Sequence, residues 1–130
     1  MKSILQNKKE SYISGQTYEL EEHHIYFGTG KRKISEKNGF KVWLTYSEHR
    51  GTYGVHGSKG ASLNRKLKLE FQNTLEELWD KQYLTREEIN NILQIDDKAL
   101  NRLLKRFSIQ DYKYIKEDII RACMGGKLIM

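Results

Sequence analysis

The stretch that decides the fold runs from Leu20-Glu-Glu-His-His-Ile25 through a glycine-rich basic loop to Phe40-Lys-Val-Trp-Leu44 and Glu48-His-Arg-Gly51. β-Branched and aromatic residues mixed with polar ones predict one strand over Tyr18 to Phe27 and a second over Phe40 to Leu44. Because glycine opens and closes the intervening loop, we expect the two strands to form a hairpin. A short helical turn from Thr45 to Arg50 follows the hairpin.

All four histidines of the chain lie in this region; they are His23, His24, His49 and His56. Imidazole is the usual nitrogen ligand of zinc and the usual general base near neutral pH. Histidines gathered beside a cationic loop are suited to a metal-assisted attack on a phosphodiester. The alternative interpretation is that four surface histidines happen to share one region of the chain.

The glycine-rich loop carries a run of three basic residues, Lys31, Arg32 and Lys33. Its glycines allow backbone amides to approach a phosphate closely. Phosphate contact and an ordinary solvated charge cluster are both consistent with this run. The formal net charge of the chain is +6 at pH 7, and such a basic balance favours an anionic partner such as nucleic acid.

The second half of the chain is predicted to be largely helical. Ser62 begins a long amphipathic helix whose apolar residues recur at intervals of three and four. A capping box, Thr85-Arg-Glu-Glu88, begins the next helix, and the turn Gln94-Ile-Asp96 separates it from a third. Tyr112 begins a strand-like segment that leads into a last helix, which ends at Gly125-Gly126. The second and third helices, joined by the tight turn Gln94-Ile-Asp96, have the outline of a helix-turn-helix.

The third of these helices is expected to present a row of polar and basic residues outward: Lys98, Asn101, Arg102, Lys105 and Arg106. Arginine, lysine and asparagine are side chains that read guanine and adenine edges or hold phosphate. The pattern resembles the winged or MerR-like helix-turn-helix of phage excisionases. DNA binding through this helix and a solvated charged face are both open interpretations.

Four short motifs, in order along the chain, resemble a family of small phage proteins related to HNH nucleases. They are His23-His-Ile-Tyr-Phe-Gly-Thr-Gly-Lys-Arg-Lys-Ile-Ser-Glu-Lys-Asn-Gly39, Val42-Trp-Leu44, Glu48-His-Arg-Gly51 and Gly54-Val-His56. The likeness covers roughly residues 10 to 75. It implies a ββα-metal fold, in which a hairpin and a helix hold one divalent ion (Zn, Mg or Mn).

The resemblance also implies a role for each histidine. His23 would be a metal ligand and His24 the base that takes a proton from water. His49 would be a second ligand, and His56 a third ligand or a phosphate contact. Glu48 is a further candidate ligand, and one of the carboxylates just before the histidine pair, Glu21 or Glu22, is a candidate to orient an imidazole.

The chain departs from the family pattern where the family carries cysteine ligands. The Cys-x-x-Cys knuckle that precedes the histidine pair in the family is Ser11-Tyr-Ile-Ser14 here. Thr45 and Glu48 stand where the family has a cysteine and a histidine. Because hydroxyls are poor zinc ligands compared with thiolate, we expect no cysteine-bound structural zinc, and any metal must be held by histidine, with Glu48 as the one candidate carboxylate.

Apolar patterning and cysteine content narrow the class of protein. No run of about 18 apolar residues is present, so no membrane span is predicted. The first residues lack the apolar core of a signal peptide. Cys123 is the only cysteine, which rules out an internal disulfide. These features predict an intracellular protein, in the host cytoplasm if the chain is phage-encoded.

Together these observations predict an α+β chain with three parts: an HNH-like ββα-metal module over residues 1–60, a connecting amphipathic helix over 61–82, and a helix-turn-helix-like segment over 83–130. The predicted function is that of a phage HNH-like metal-binding protein acting on nucleic acid or its machinery, with DNA endonuclease activity left open. Two alternatives remain. One is an inactive, anti-CRISPR-like inhibitor that binds a host defence nuclease, and the other is a helix-turn-helix DNA-binding regulator.

Overall fold

The structure is a computed structural model that describes residues 3–25, 39–105, 107 and 112–129. Over these residues the chain is α+β, with two small antiparallel sheets and five helices, which confirms the predicted class. The chain divides into two compact units, Met1–Phe71 and Gln72–Met130. No helix within the described ranges is long and apolar enough to cross a membrane.

The first unit is built on a hairpin of β1 (Leu20–His24) and β2 (Lys41–Thr45). The strands pair antiparallel, with His23 opposite Val42 and His24 opposite Lys41. β1 begins later than the sequence predicts. Glu19 has a φ of 55°, and this left-handed conformation interrupts the extended backbone, so residues 18 and 19 lie outside the strand.

The N-terminal segment is irregular and lies along the outer edge of β2. The amide of Ile4 donates to the Gly39 carbonyl at 3.1 Å, and the Tyr12 amide donates to the Trp43 carbonyl at 2.9 Å. The Gln6 side-chain carbonyl accepts from the Trp43 amide at 2.7 Å. These bonds cover a strand edge that would otherwise present unpaired backbone groups.

Two helices complete the first unit, α1 (Tyr46–Arg50) and the first part of α2 (Ala61–Leu78). α2 buries Leu67 and Phe71 as its amphipathic pattern predicts, and the Phe71 ring lies 4.6 Å from that of Phe40, centroid to centroid. The hairpin and its flanks add Ile25, Val42 and Leu44 to the core of this unit, and the loop after α1 adds Val55.

The second unit contains β3 (Tyr83–Thr85), α3 (Arg86–Leu93), α4 (Asp97–Leu104), β4 (Lys113–Ile115) and α5 (Lys116–Cys123). β3 and β4 pair antiparallel, and each strand passes directly into a helix. The predicted helices are all present. β3 was not predicted, because three residues are too few to show a period of two.

The capping box at the start of α3 gives a test of this unit. Thr85 Oγ1 accepts from the Glu88 amide at 3.1 Å, and Glu88 Oε1 accepts from the Thr85 amide at 2.9 Å. Thr85→Ala should lower the free energy of unfolding by about 1 kcal/mol, measured by urea denaturation. Thr85→Ser keeps the hydroxyl and should retain most of that stability, so equal losses in the two variants would contradict the capping role.

Candidate metal centre

Three of the four histidines converge in the first unit. His23 lies on β1, His49 on α1 and His56 in the loop after α1, and one ring nitrogen of each lies within 4.8 Å of the other two. The ring centroids are 4.7 to 5.3 Å apart. His23 and His49 are buried while His56 is exposed, so the cluster opens to solvent on the His56 side.

The hairpin fixes the position of His23. Successive residues of a strand point to opposite faces of the sheet, and His23 shares its face with Val42, its partner in the register. Val42 and the neighbouring Leu44 are fully buried. His23 is therefore held on the core side of the hairpin with none of its surface exposed.

A loop with glycine at every third position brings His56 to the cluster; its glycines are Gly51, Gly54, Gly57 and Gly60. Each of the last three donates its amide to the carbonyl of the glycine before it, at 2.8 to 3.1 Å. The loop also returns onto α1, where the His56 amide donates to the His49 carbonyl at 2.9 Å. A Cβ on Gly57 would overlap the Gly51 carbonyl oxygen, so the close approach requires glycine.

Glu21 orients His49. Its Oε1 lies 2.7 Å from His49 Nδ1 and accepts a hydrogen bond from Arg50 Nε at 3.0 Å. The hydrogen bond with His49, followed by the interaction with Arg50, holds the pKa of Glu21 below its usual value. Because Nδ1 is engaged by the carboxylate, Nε2 is the nitrogen of His49 left for an ion. Of the two carboxylates considered from the sequence, Glu21 has this role.

Burial favours the neutral form of two histidines of the cluster, His23 and His56. It lowers the pKa of His23 to about 3, with further contributions from the neighbouring His49 and His56. Burial also lowers the pKa of His56, as do His49 and Arg50. Neutral imidazole is the form that binds a metal ion, so His23 and His56 are in the binding form at neutral pH.

The cluster fits a divalent ion with only small side-chain movement. Zinc–nitrogen bonds of about 2.0 to 2.1 Å in a tetrahedral site place the nitrogens about 3.3 Å apart. The observed separations of up to 4.8 Å would have to shorten by no more than about 1.5 Å around such an ion. Three protein ligands would leave one coordination position open toward solvent.

Glu48, the fourth predicted ligand, does not join the histidines. Its Oε1 accepts from Ser11 Oγ at 2.6 Å and from the Thr45 amide at 2.8 Å. Burial would raise the pKa of Glu48, but hydrogen bonds from Ser11, Thr45 and Ser14 together lower it. The four positions where the chain departs from the family pattern thus form one hydrogen-bonded cluster, here called the serine–glutamate cluster (Ser11, Ser14, Thr45 and Glu48).

His24, the predicted base, is the last residue of β1 and is partly exposed. Its ring is not one of the three that converge. Strand alternation places it on the face opposite His23, and it is close enough to contribute to the lowered pKa of His23.

The predicted nucleic-acid contacts divide into two groups. Lys31, Arg32, Lys33 and Arg106 lie outside the residues that the structure describes. Lys98, Asn101 and Arg102 are exposed on α4, as predicted, and Lys105 is exposed at the position just after the helix. α4 follows α3 after a turn in which Gln94 adopts a left-handed φ of 52°, and the Asn90 side chain exchanges two hydrogen bonds with the Ile95 backbone, at 2.9 and 3.0 Å.

Comparison with known proteins finds no matching family model, no similar curated protein and no similar solved structure. The resemblance to phage HNH-related proteins therefore stays a prediction. The sequence reasoning missed how the loop after α1 positions His56. The signal was present in the three-residue period of its glycines, which matches the spacing of successive tight turns.

The cluster predicts metal binding that depends on three histidines and not on the fourth. We expect about one zinc ion per chain by isothermal titration calorimetry. His49→Ala should weaken binding by more than the roughly 10- to 100-fold lost with an outer-shell partner, because it removes a ligand directly. His24→Ala is the matched control and should bind as the unaltered chain does. Equal binding by both variants would contradict the assignment.

The glycine loop predicts a second, independent effect on the same site. Gly57→Ala places a methyl group against the Gly51 carbonyl, so the loop must open and His56 must move away from His49. We expect lower stability, by more than about 1 kcal/mol, together with weaker zinc binding. Ser58→Ala, at the exposed neighbouring position, should change neither quantity. Zinc binding retained in Gly57→Ala would show that the loop does not position His56.

Proposed function

We propose that this chain is an HNH-like, metal-dependent protein that acts on nucleic acid, with phosphodiester cleavage as its activity. The observation that carries the proposal is the convergence of His23, His49 and His56 from a strand, the following helix and the loop after it. The open side of the cluster is where a substrate phosphate would enter. A formal net charge of +6 favours such a polyanionic substrate.

The donor set favours zinc or another late transition ion over magnesium. Imidazole suits zinc, copper, iron and nickel, whereas magnesium prefers carboxylate and water oxygens, and the one candidate carboxylate, Glu48, is engaged elsewhere. Three protein ligands with one open position are typical of catalytic rather than structural zinc sites. A bound ion would supply Lewis acidity, stabilising charge on the phosphate as it reacts.

Two further residues have roles in this proposal. His24, next to a ligand and partly exposed, is the base that accepts a proton from water. Arg50 lies at the exposed side of the cluster, where its Nε is held by Glu21 at 3.0 Å, and it contacts the substrate phosphate. Guanidinium groups fixed in this way are well suited to phosphate oxygens.

The serine–glutamate cluster supports the HNH-like assignment from a separate part of the chain. In the family that the chain resembles, these four positions carry three cysteines and one histidine. They are distant in sequence, yet Ser11 lies within hydrogen-bonding distance of Glu48, 37 residues away. This agreement favours the resemblance over a chance grouping of histidines.

A second candidate function, DNA binding by the helix-turn-helix-like segment, is favoured by the exposed row on α4. In a regulator this row would carry the activity and the histidine cluster would be structural. In the endonuclease it would add affinity for the substrate. The two functions differ in whether substitutions on α4 or at the histidines abolish the activity.

A plasmid-nicking assay tests the proposal. The metal-loaded chain should cut supercoiled DNA, a chelator should stop the cutting, and His24→Ala should lower the rate by about 10²- to 10⁴-fold while DNA binding is kept. Glu22→Gln, a nearby substitution on the same strand, is the control and should cut normally.

Three outcomes would count against this proposal or one of its parts. Equal cutting by the unaltered chain and His24→Ala would mean that a contaminant cuts the DNA or that another group is the base. DNA binding without cutting, lost on substitution of Arg102 but not of His49, would favour the regulator. Capture of a nuclease that does not depend on salt, with no cutting of DNA, would favour the anti-CRISPR-like inhibitor. Binding through DNA phosphates would behave differently, because the logarithm of its binding constant falls linearly with the logarithm of the salt concentration.

A further inference from the structure

A cleft of about 560 Å³ lies where β1 begins and β2 ends. Two tyrosines line it, Tyr18 with 65% and Tyr46 with 59% of its surface exposed. Aromatic side chains that lose so little surface contribute little to the core of the fold. Exposed rings in a concave surface are the kind of platform on which nucleobases stack.

Of the described residues, those that bring a charged group to the cleft wall are both glutamates, Glu19 and Glu21. Glu19 is held with a φ of 55°, a conformation that residues with a Cβ rarely adopt. Strained backbone conformations are found most often at functional sites, where the surrounding structure holds them in place. Among the residues that the structure describes, no lysine or arginine lines the cleft, so this lining is better suited to a group that donates hydrogen bonds than to a phosphate.

Glu21 joins the cleft to the metal centre. It lines the cleft, and its Oε1 is the atom that lies 2.7 Å from His49 Nδ1. A nucleic-acid strand whose phosphate lay at the histidines would therefore have a neighbouring nucleotide beside the cleft.

We infer that this cleft binds the base of an unpaired nucleotide that carries an exocyclic amino group, as cytosine, adenine and guanine do. Tyr18 and Tyr46 provide the stacking surface, and the Glu19 carboxylate accepts a hydrogen bond from the amino group, the pairing by which acidic side chains read cytosine. Thymine and uracil lack that group and should bind more weakly. The inference rests on the proposed function, and it adds a preference for unpaired, amino-bearing bases.

Fluorescence anisotropy with short labelled oligo(dC) and oligo(dT) tests the inference on the full chain, using zinc-loaded His24→Ala so that the probe is not cut. We expect tighter binding of oligo(dC). Tyr18→Ala and Tyr46→Ala should each weaken it by about tenfold. Tyr112→Ala, which alters a tyrosine that is 90% exposed in the second unit, is the control and should have no effect.

A substitution at Glu19 tests the hydrogen bond separately from the stacking. Glu19→Gly removes the carboxylate while glycine accepts the left-handed backbone without strain. This variant should fold normally, bind oligo(dT) as before and lose the preference for oligo(dC). The inference would be overturned if zinc-loaded His24→Ala bound the two oligonucleotides equally. It would also be overturned if the tyrosine variants bound oligo(dC) as tightly as the protein without those substitutions.

The results separate this inference from the proposed function. If the chain cut DNA in a metal-dependent way and neither Tyr18→Ala nor Tyr46→Ala weakened binding, the endonuclease would be supported and the base-binding cleft would be contradicted. A preference for oligo(dC) that depends on both tyrosines, without cutting by the unaltered chain, would support the base site and remove the endonuclease. The cleft could instead bind a basic peptide. If the NMR signals of the two tyrosine rings shifted when arginine amide was added, but not when cytidine was added, the inference would be overturned in favour of that peptide.

Discussion

The return of the glycine loop onto helix α1 is the constraint on which the metal centre depends. α1 has five residues, far fewer than an isolated helix needs to be stable in water. It is held by the capping box between Thr45 and Glu48 and by the loop, whose amides at positions 55 and 56 donate to the carbonyls of Glu48 and His49, each at 2.9 Å. The loop comes closest to α1 at Gly54, where a Cβ would lie 2.5 and 2.7 Å from the carbonyl oxygens of Ser47 and Glu48, so this position also needs glycine. His49 and His56 are therefore positioned together, and the hairpin then brings His23 against both.

Packing sets the protonation of the ligands as well as their position. A buried imidazolium is costly in a region of low dielectric, so His23, with no exposed surface, stays neutral and its pKa falls to about 3. The same burial would make a charged ligand unfavourable. Glu21, whose carboxylate contacts the centre, is 34% exposed at its side chain, and it engages Nδ1 of His49. The core therefore favours the protonation state that an ion requires.

Local patterns in the sequence predicted most of the elements, and the failures have physical causes. The capping boxes and the apolar period of α2 depend on residues close together in the sequence, so they could be predicted from it. The start of β1 was misplaced because the left-handed conformation of Glu19 has no signature in residue type. Glu48 was named as a candidate ligand beside His49 because it stands where the resembled family has a histidine. Adjacent helical residues point about 100° apart, and the Glu48 carboxylate meets Ser11 instead. His56 could be named as a candidate, but its contact with His49 depends on a loop that only the structure describes.

The serine–glutamate cluster separates folding from metal binding in this chain. Its hydrogen bonds join the N-terminal segment to α1, with Ser11 Oγ 2.6 Å from Glu48 Oε1 and the Ser14 amide 3.0 Å from Ser11 Oγ. A buried hydrogen bond to a charged group contributes about 1.5 to 3 kcal/mol, discounted here because Glu48 is only partly buried. Such a connection holds α1 in place without an ion. Under the proposed function, removing the metal should therefore abolish the chemistry while leaving most of the fold, whereas breaking the Ser11–Glu48 bond should loosen the scaffold and, through α1, the histidines themselves.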